Sequence, residues 1–330
     1  MEGEVKVKKA IITGVLGQDG SFLAEYLLSL DYQVTGLYKR VSSGNDFSNL
    51  GDAYGHPNLR LLEGDICDAG FINSLFKDVQ PDEVYGLAAQ SHVGYSFKIP
   101  IETFRVNAEA VIIQLEAIRH FSPNTRFYNA STSEMFGGLN CPPAGFDESS
   151  PLNPRSPYAI AKLAAFHATK NYREAYGLHA SSGILFNHSS TRRGIDFATR
   201  KITRGVADIV TGRSKKILMG NLEAFRDEGH SKDFVRAMHL MLQQTMPDDY
   251  VVATGDGATI RQMLEYVCSL AHLNPAEVYQ ADERFMRPSD VPFLKGDSSK
   301  IRDIGWSPEY TWQSLLKEMF EYDLSLPRSG

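Results

Sequence analysis

The sequence predicts an α/β protein: a Rossmann-type, doubly wound parallel sheet followed by a smaller mixed α/β C-terminal lobe. Three observations predict it. A short apolar, β-rich run at the start, 8–13 (KKAIIT), ends in a glycine turn and leads into a helical pattern. Strand-like and helix-like segments then alternate with short connections as far as residue 186. Beyond it the alternation weakens, in a chain of 330 residues that is too long for one compact layer pair.

After 8–13, the stretch 21–30 places Phe22, Leu23, Tyr26, Leu27 and Leu30 at helical spacing. Segment 32–38 (YQVTGLY) returns to strand character, which makes a βαβ crossover of about 30 residues. Further strands are expected at 59–62, 83–87 and 125–130, with helices at 69–79 and, as one long amphipathic element, 101–121. The stretch 142–157, rich in Pro, Ser, Asn and Gly, reads as a surface loop. A long helix over 158–176 opens with Pro157 near its first turn, and 183–186 reads as another buried strand. Helix 233–244 and strand 250–253 have the character to rejoin the sheet. The domain reading is therefore 1–186 with 231–255 for the Rossmann region, and 187–230 with 256–330 for the second lobe.

Composition narrows the function. A formal net charge of -6 argues against general nucleic-acid binding, which wants a basic surface. A local basic run holds Arg192, Arg193, Arg200, Lys201, Arg204, Arg213, Lys215 and Lys216; most of these suit a solvated helix face, and a few could meet a phosphorylated ligand or a neighbouring subunit. Cys67, Cys141 and Cys268 lie far apart with no CxxC pair, so neither a disulfide framework nor a metal site is expected. The N-terminal apolar run is broken by Gly14, Gln18 and Asp19, unlike a signal peptide or a membrane span. A soluble, cytoplasmic protein is the expectation.

Gly14, Gly17 and Gly20 form GVLGQDG between the first strand and first helix. Backbone N–H groups must approach a pyrophosphate there, and a Cβ would block them. That placement marks a dinucleotide turn, with Gln18 and Asp19 counted among its cofactor contacts. An acidic residue at the end of the second strand would suit NAD; this chain has Lys39, Arg40, Ser42 and Ser43, which favour the 2′-phosphate of NADP. Asp65 and Ile66 are placed beside the adenine, and the small, apolar Leu87, Ala88 and Ala89 against the cofactor.

Tyr158 and Lys162 form YxxxK, one turn apart on a single helical face. An adjacent ammonium lowers a phenol pKa, which lets tyrosine act as a base near neutrality. Ser131, Thr132, Ser133 and Glu134 follow strand 125–130, at a carboxyl edge where open α/β sheets bind ligands. A hydroxyl there can hold a substrate oxygen being oxidised. A carboxylate beside it suits removal of a proton alpha to a new ketone, which a simple dehydrogenase does not need.

Together GVLGQDGSFLAEYLL, DEVYGLAAQSHVGYSF, TRFYNASTSEMFG, PRSPYAIAKL, NYREAYGLHASSGILFNH, RRGIDFATRKITR and RDEGHSKDFV resemble GDP-mannose 4,6-dehydratases, a branch of the extended short-chain dehydrogenases. VVATG, FMRPSDVPFLKGD and IGWSPEYTW extend the likeness over nearly the whole chain. The resemblance implies that Thr132 holds the C4 hydroxyl of a GDP-sugar. Tyr158, tuned by Lys162, takes its proton as hydride leaves for NADP, and Glu134 removes the C5 proton as C6 loses water. It also implies that Ser91 lines the sugar pocket, that Asn187 hydrogen-bonds the sugar or its phosphate, that Lys201 lies near the guanine, and that Arg226 and Arg287 clamp the pyrophosphate. Asp290 would accept from ribose hydroxyls, and His188 and Arg193 would contact cofactor. Arg192 and Arg193 match a loop that reaches a neighbouring subunit, which implies a homo-oligomer, a tetramer ahead of a dimer.

The chain departs from the family pattern at two places. NHESPRRG becomes Asn187-His188-Ser189-Ser190-Thr191-Arg192-Arg193-Gly194, and RDWG becomes Arg226-Asp227-Glu228-Gly229. These changes leave the reaction type in place and open the sugar's identity, with GDP-manno-heptose as the alternative substrate. A GDP-4-keto-sugar reductase or an epimerase could also use Tyr158 and Lys162, but a reductase has no use for Glu134. A silent NADP-binding regulator is the non-enzymatic alternative.

Overall fold

The structure, a computed structural model, describes residues 7–285 and 289–327. Its strands in chain order are β1 (Lys9–Thr13), β2 (Gln33–Tyr38), β3 (Leu59–Glu63), β4 (Glu83–Gly86), β5 (Arg126–Thr132), β6 (Ala180–Leu185) and β7 (Asn187–Ser189). They continue with β8 (Ile217–Met219), β9 (Phe225–His230), β10 (Tyr250–Val252), β11 (Gly257–Thr259), β12 (Tyr279–Ala281) and β13 (Phe293–Leu294). Seven of them form one sheet in the order β10-β6-β5-β4-β1-β2-β3. The pairs β1–β2, β2–β3, β1–β4 and β4–β5 run parallel, and the winding reverses between β1 and β4. That reversal is the switch point at which such sheets bind dinucleotides.

Apolar runs such as Ala10, Ile11 and Ile12 are fully buried because helices cover both faces of the sheet. On one side Ile11, Leu37, Val84 and Phe127 meet Phe76, Leu115 and Ile118 from the helices Ala69–Val79 and Ala110–Phe121. Each such side chain contributes about 1.5–3 kcal/mol on burial.

The chain divides into two compact units: residues 1–132, 156–184 and 235–250, and residues 133–155, 185–234 and 251–330. The second unit is the smaller, mixed lobe. In it β9 pairs in parallel with β7 and β13 and antiparallel with β11, and β8 pairs with β12. Helices Ala198–Val210, Ile260–Leu270 and Trp312–Ser325 close its core around Ile202, Met263, Leu264, Leu315 and Met319.

Two segments differ from their sequence reading. The single helix expected over 101–121 is interrupted: Pro100–Phe104 is α-helical, Arg105–Glu109 winds as a π turn, and Ala110–Phe121 resumes the α-helix. The π turn presents buried Asn107 to residue 90, where its Oδ1 accepts from Gln90 N at 2.8 Å and its Nδ2 donates to Gln90 O at 2.9 Å. The stretch 142–157 lacks regular structure but is no mere surface loop. Phe146 is buried, stacks on Phe136 at 4.8 Å, and bonds through its backbone to Lys295 and Asp297. Those contacts tie 133–155 to the second unit.

Glu83, at the start of β4, fastens the amino-terminal end of the sheet. It is 1 % exposed and accepts from Tyr85 Oη (2.7 Å), Tyr32 Oη (3.0 Å), Lys8 Nζ (3.0 Å) and Gln243 Nε2 (3.0 Å). Burial pushes its pKa up, but the donors from Gln243, Tyr85 and Lys8 outweigh that and hold it below the ordinary carboxylate value. Because the folded pKa is depressed, this stabilisation is complete above the unfolded pKa of about 4.3 and is lost as pH falls through the folded one. Glu83→Ala is expected to cost about 3 kcal/mol at neutral pH. The gap between the thermal melts of parent and variant should narrow as the solution is acidified below about pH 4.

Candidate active site

The glycine turn is held from three directions. Gly14 takes a left-handed φ of 73°, and its N–H, like that of Val15, donates to Leu37 O on β2. A Cβ on Gly14 would stand 2.9 Å from Ala88 Cα, and one on Gly20 would stand 2.3 Å from Gly14 O. Gly17 caps the helix Gln18–Ser29 without a side chain, so the turn keeps a low profile at the helix's positive end. Thr13 Oγ1 accepts from Leu87 N (3.0 Å) and Ala88 N (3.1 Å), which fixes the exit of β4 beside the turn. The sequence reading named Leu87, Ala88 and Ala89 but missed Thr13 and Asn107. A polar residue ending an apolar strand and an asparagine inside an apolar helical run were the available signals. This cradle fits a dinucleotide pyrophosphate: its Cβ-free positions leave room for no side chain, and its loops are locked by hydrogen bonds.

At the end of β2 the picture is more particular. Lys39 Nζ bonds Asp65 Oδ2 at 2.9 Å, and Asp65 Oδ1 also accepts from Cys67 N at 3.0 Å. Burial pushes the Asp65 carboxyl up, but the Cys67 N–H and Lys39 bring it below its ordinary value. Arg40 and Ser42 are exposed in the loop that follows, which Asn45 shapes by donating to Lys39 O. Ile66 is buried behind Asp65 in sequence. Gln18 Nε2 donates to Asp19 Oδ1 at 3.2 Å in the first helical turn.

The YxxxK pair sits where β5 ends. Ser156 caps the helix Pro157–Tyr176 by accepting from Ala159 N, and Pro157 presets its first turn. Tyr158 N donates to Ser96 Oγ at 3.2 Å, a partner the sequence did not suggest. Lys162 is buried and its Nζ donates to Ala130 O at 2.8 Å, two residues before Thr132. Burial pushes the Lys162 ammonium down to about 8, so it is still largely charged at neutral pH. Thr132 closes β5, and Glu134 follows in the short 3-10 turn Ser133–Phe136; both side chains are buried. Ser91 is exposed after the β4 exit.

In the second unit, Asn187 opens β7 and His188 stacks on Phe234 at 4.3 Å while its Nδ1 meets Phe186 O at 2.8 Å. Arg226 is buried on β9, with Nη1 donating to Phe225 O and Nη2 3.9 Å from Asp290 Oδ1. Asn221 Nδ2 donates to Asp290 Oδ2 at 2.8 Å, so Arg226 and Asp290 are brought together. Lys201 lies over the Phe285 ring at 3.4 Å, and burial lowers its pKa. Arg193 lies over Phe197 at 3.7 Å. Arg287 lies outside the described residues.

The family model for GDP-mannose 4,6 dehydratase matches residues 11–319. The chain belongs to the GDP-mannose 4,6-dehydratase family. Among its relatives in that family, GDP-mannose 4,6 dehydratase 1 of Arabidopsis thaliana is 45 % identical over 98 % of this chain and 92 % of its own length. The Vibrio cholerae GDP-mannose 4,6-dehydratase is 43 % identical over 97 % and 94 %, and the Homo sapiens protein 39 % identical over 97 % and 92 %. The same fold is seen in dTDP-glucose 4,6-dehydratase from Bacillus anthracis, solved with NAD (TM-score 0.83, 21 % identity, 96 % of each chain). It is seen again in the Thermotoga maritima UDP-glucose 4-epimerase with UDP-glucose (TM-score 0.83, 25 % identity, 95 % and 98 %). The glycine turn, the STSE sequence and YxxxK of this dehydratase-family chain therefore sit on a fold shared by dehydratases and epimerases.

Proposed function

We propose that this chain dehydrates GDP-mannose to GDP-4-keto-6-deoxymannose, moving a hydrogen from C4 to C6 within one site. The observation that carries the reading is the anchoring of Lys162 on Ala130 O, which sets the YxxxK helix at the end of the strand bearing Thr132 and leading to Glu134. Membership of the family supports the nucleotide sugar.

Bound NADP supplies the acceptor and later the donor of the hydride. Thr132 orients the C4 hydroxyl, and Tyr158 takes its proton, its phenolate favoured by the Lys162 ammonium. The C4 carbonyl acidifies C5–H, which Glu134 removes while the C6 hydroxyl leaves as water. Addition of hydrogen at C6 and of a proton at C5 completes the methyl product, with no net oxidation. Tight retention of the cofactor is thus an advantage. Asn187 and Ser91 contact the hexose, Lys201 the guanine, Arg226 and Arg287 the pyrophosphate, and Asp290 the ribose, in this reading; His188 and Arg193 join the cofactor contacts.

Preference for NADP rests on Lys39, Arg40 and Ser42. Since Lys39 already neutralises Asp65, Arg40 carries most of the discrimination. Arg40→Ala is expected to weaken NADP binding by about tenfold or more and to leave NAD binding nearly unchanged, as equilibrium titration of both would show. A homo-oligomer is part of the reading: Ile101, Phe104, Ile112 and Ile160 are exposed apolar residues on helices of the first unit. Light scattering reads its size. The cytoplasmic location rests on the widely spaced cysteines; among the described residues no helix is long and apolar enough to cross a membrane.

The decisive experiment incubates the protein with GDP-mannose deuterated at C4. Deuterium should appear on the C6 methyl of a product lighter by one water. Label retained at C4, or lost to solvent, would contradict internal transfer. GDP-manno-heptose offered in parallel ranks the two sugars.

A further inference from the structure

A buried carboxyl group in the second unit has no part in the reaction steps above. Glu228 is 3 % exposed on β9, opposite Asn187 in the parallel β7–β9 ladder. Its Oε1 accepts from Ser189 Oγ at 2.6 Å, and that hydroxyl lies 2.8 Å from Thr199 Oγ1 on the helix Ala198–Val210. Burial pushes the Glu228 pKa up, while the Ser189 hydrogen bond and the charges of Arg193 and His188 pull against it. A carboxyl group kept out of water is costly unless a partner uses it, and its hydrogen-bond partner among the described residues is a hydroxyl on a three-residue strand. Ser189 shares a face of β7 with Asn187, because strand side chains alternate. Holding Ser189 therefore sets the rotation of β7 and the direction of Asn187. The two residues that meet are also two of the three departures from the family pattern, serine where the pattern has glutamate and glutamate where it has tryptophan; the third is Thr191.

We propose that Glu228, acting through Ser189, is a positioning residue that aims Asn187 at the hexose, and that in this chain the carboxylate of the pair has changed strands. The proposal rests on the reading that Asn187 contacts the sugar. It predicts a loss confined to the hexose end of the ligand. Glu228→Ala and Ser189→Ala should each raise the KM for GDP-mannose by about tenfold, the worth of one hydrogen bond. Their affinity for GDP, which lacks the hexose, should stay at the parent value. Exchanging the partners in S189E/E228S should recover most of the lost KM, because the same hydrogen bond forms from the opposite strand.

Should Glu228→Ala fail to fold, Ser189→Ala and Glu228→Gln carry the test; the glutamine keeps an acceptor for Ser189 and should retain near-parent KM. Parent-like KM in Ser189→Ala, or equal weakening of GDP and GDP-mannose, overturns the proposal and leaves a merely structural pair. An unrecovered KM in the exchanged double variant overturns it as well. If the parent protein leaves GDP-mannose intact, the underlying functional reading has failed instead, a separate outcome visible before any variant is made.

Discussion

Tyr158→Phe is expected to lower turnover of GDP-mannose by about 10²–10⁴-fold, the range for loss of a positioned acid–base group. The change removes one oxygen from a side chain that is 9 % exposed, so the ring keeps its packing and the helix its Ser156 cap. Folding should be unaffected, which makes the loss a statement about chemistry. Lys162 lies one turn along the same helix, held by Ala130 O. Its ammonium is charged below about pH 8, and a positive charge on the same helical face favours the phenolate. Product formation followed by mass spectrometry, beside a melting curve, checks the prediction. A variant with more than about a tenth of parental turnover would remove Tyr158 from the role of base.

Glu134→Gln should stop the reaction at a different place. Oxidation at C4 does not need the carboxylate, whereas removal of the C5 proton does. Overall dehydration should fall by about 10²–10⁴-fold while a 4-keto hexose that still carries its C6 hydroxyl accumulates on the protein. In heavy water the parent enzyme should leave solvent deuterium at C5, and the variant should incorporate almost none in the sugar it retains. The glutamine preserves shape in the buried turn Ser133–Phe136, so lost exchange cannot be attributed to a cavity. Parental rates of C5 exchange in Glu134→Gln would assign the proton to another group. The two variants thus divide the reaction between residues that stand on consecutive elements of the fold.

Much of this was legible in the sequence because it is local. Apolar runs of strand length, alternating with helical spacing, located six strands of the sheet along the chain. The glycine turn was readable since Gly14 and Gly20 answer to backbone contacts within a few residues, together with Ala88. YxxxK was readable because one helical turn separates its members. What stayed hidden depends on contacts between distant segments. Nothing in the apolar pattern of 101–121 announces a π turn, and Asn107, which lies within it, answers to the distant Gln90. Composition marked 142–157 as a loop, but Phe146 takes its partners from Phe136, Lys295 and Asp297. Ser189 and Glu228 looked like two separate departures until their hydrogen bond made them one. Lys39 was read toward a ligand phosphate, and the structure adds the carboxylate of Asp65 as its neighbour.

The place of β10 in the sheet bears on how the molecule is made. β6 is complete at Leu185, yet the strand beside it, Tyr250–Val252, comes only after β7, β8, β9 and two full helices, Ala198–Val210 and Ser231–Gln243. As the polypeptide leaves the ribosome, the outer border of β6 stays open through that interval, with its N–H and C=O groups ready to template a foreign strand. Synthesis is therefore an interval in which this edge is exposed to mispairing.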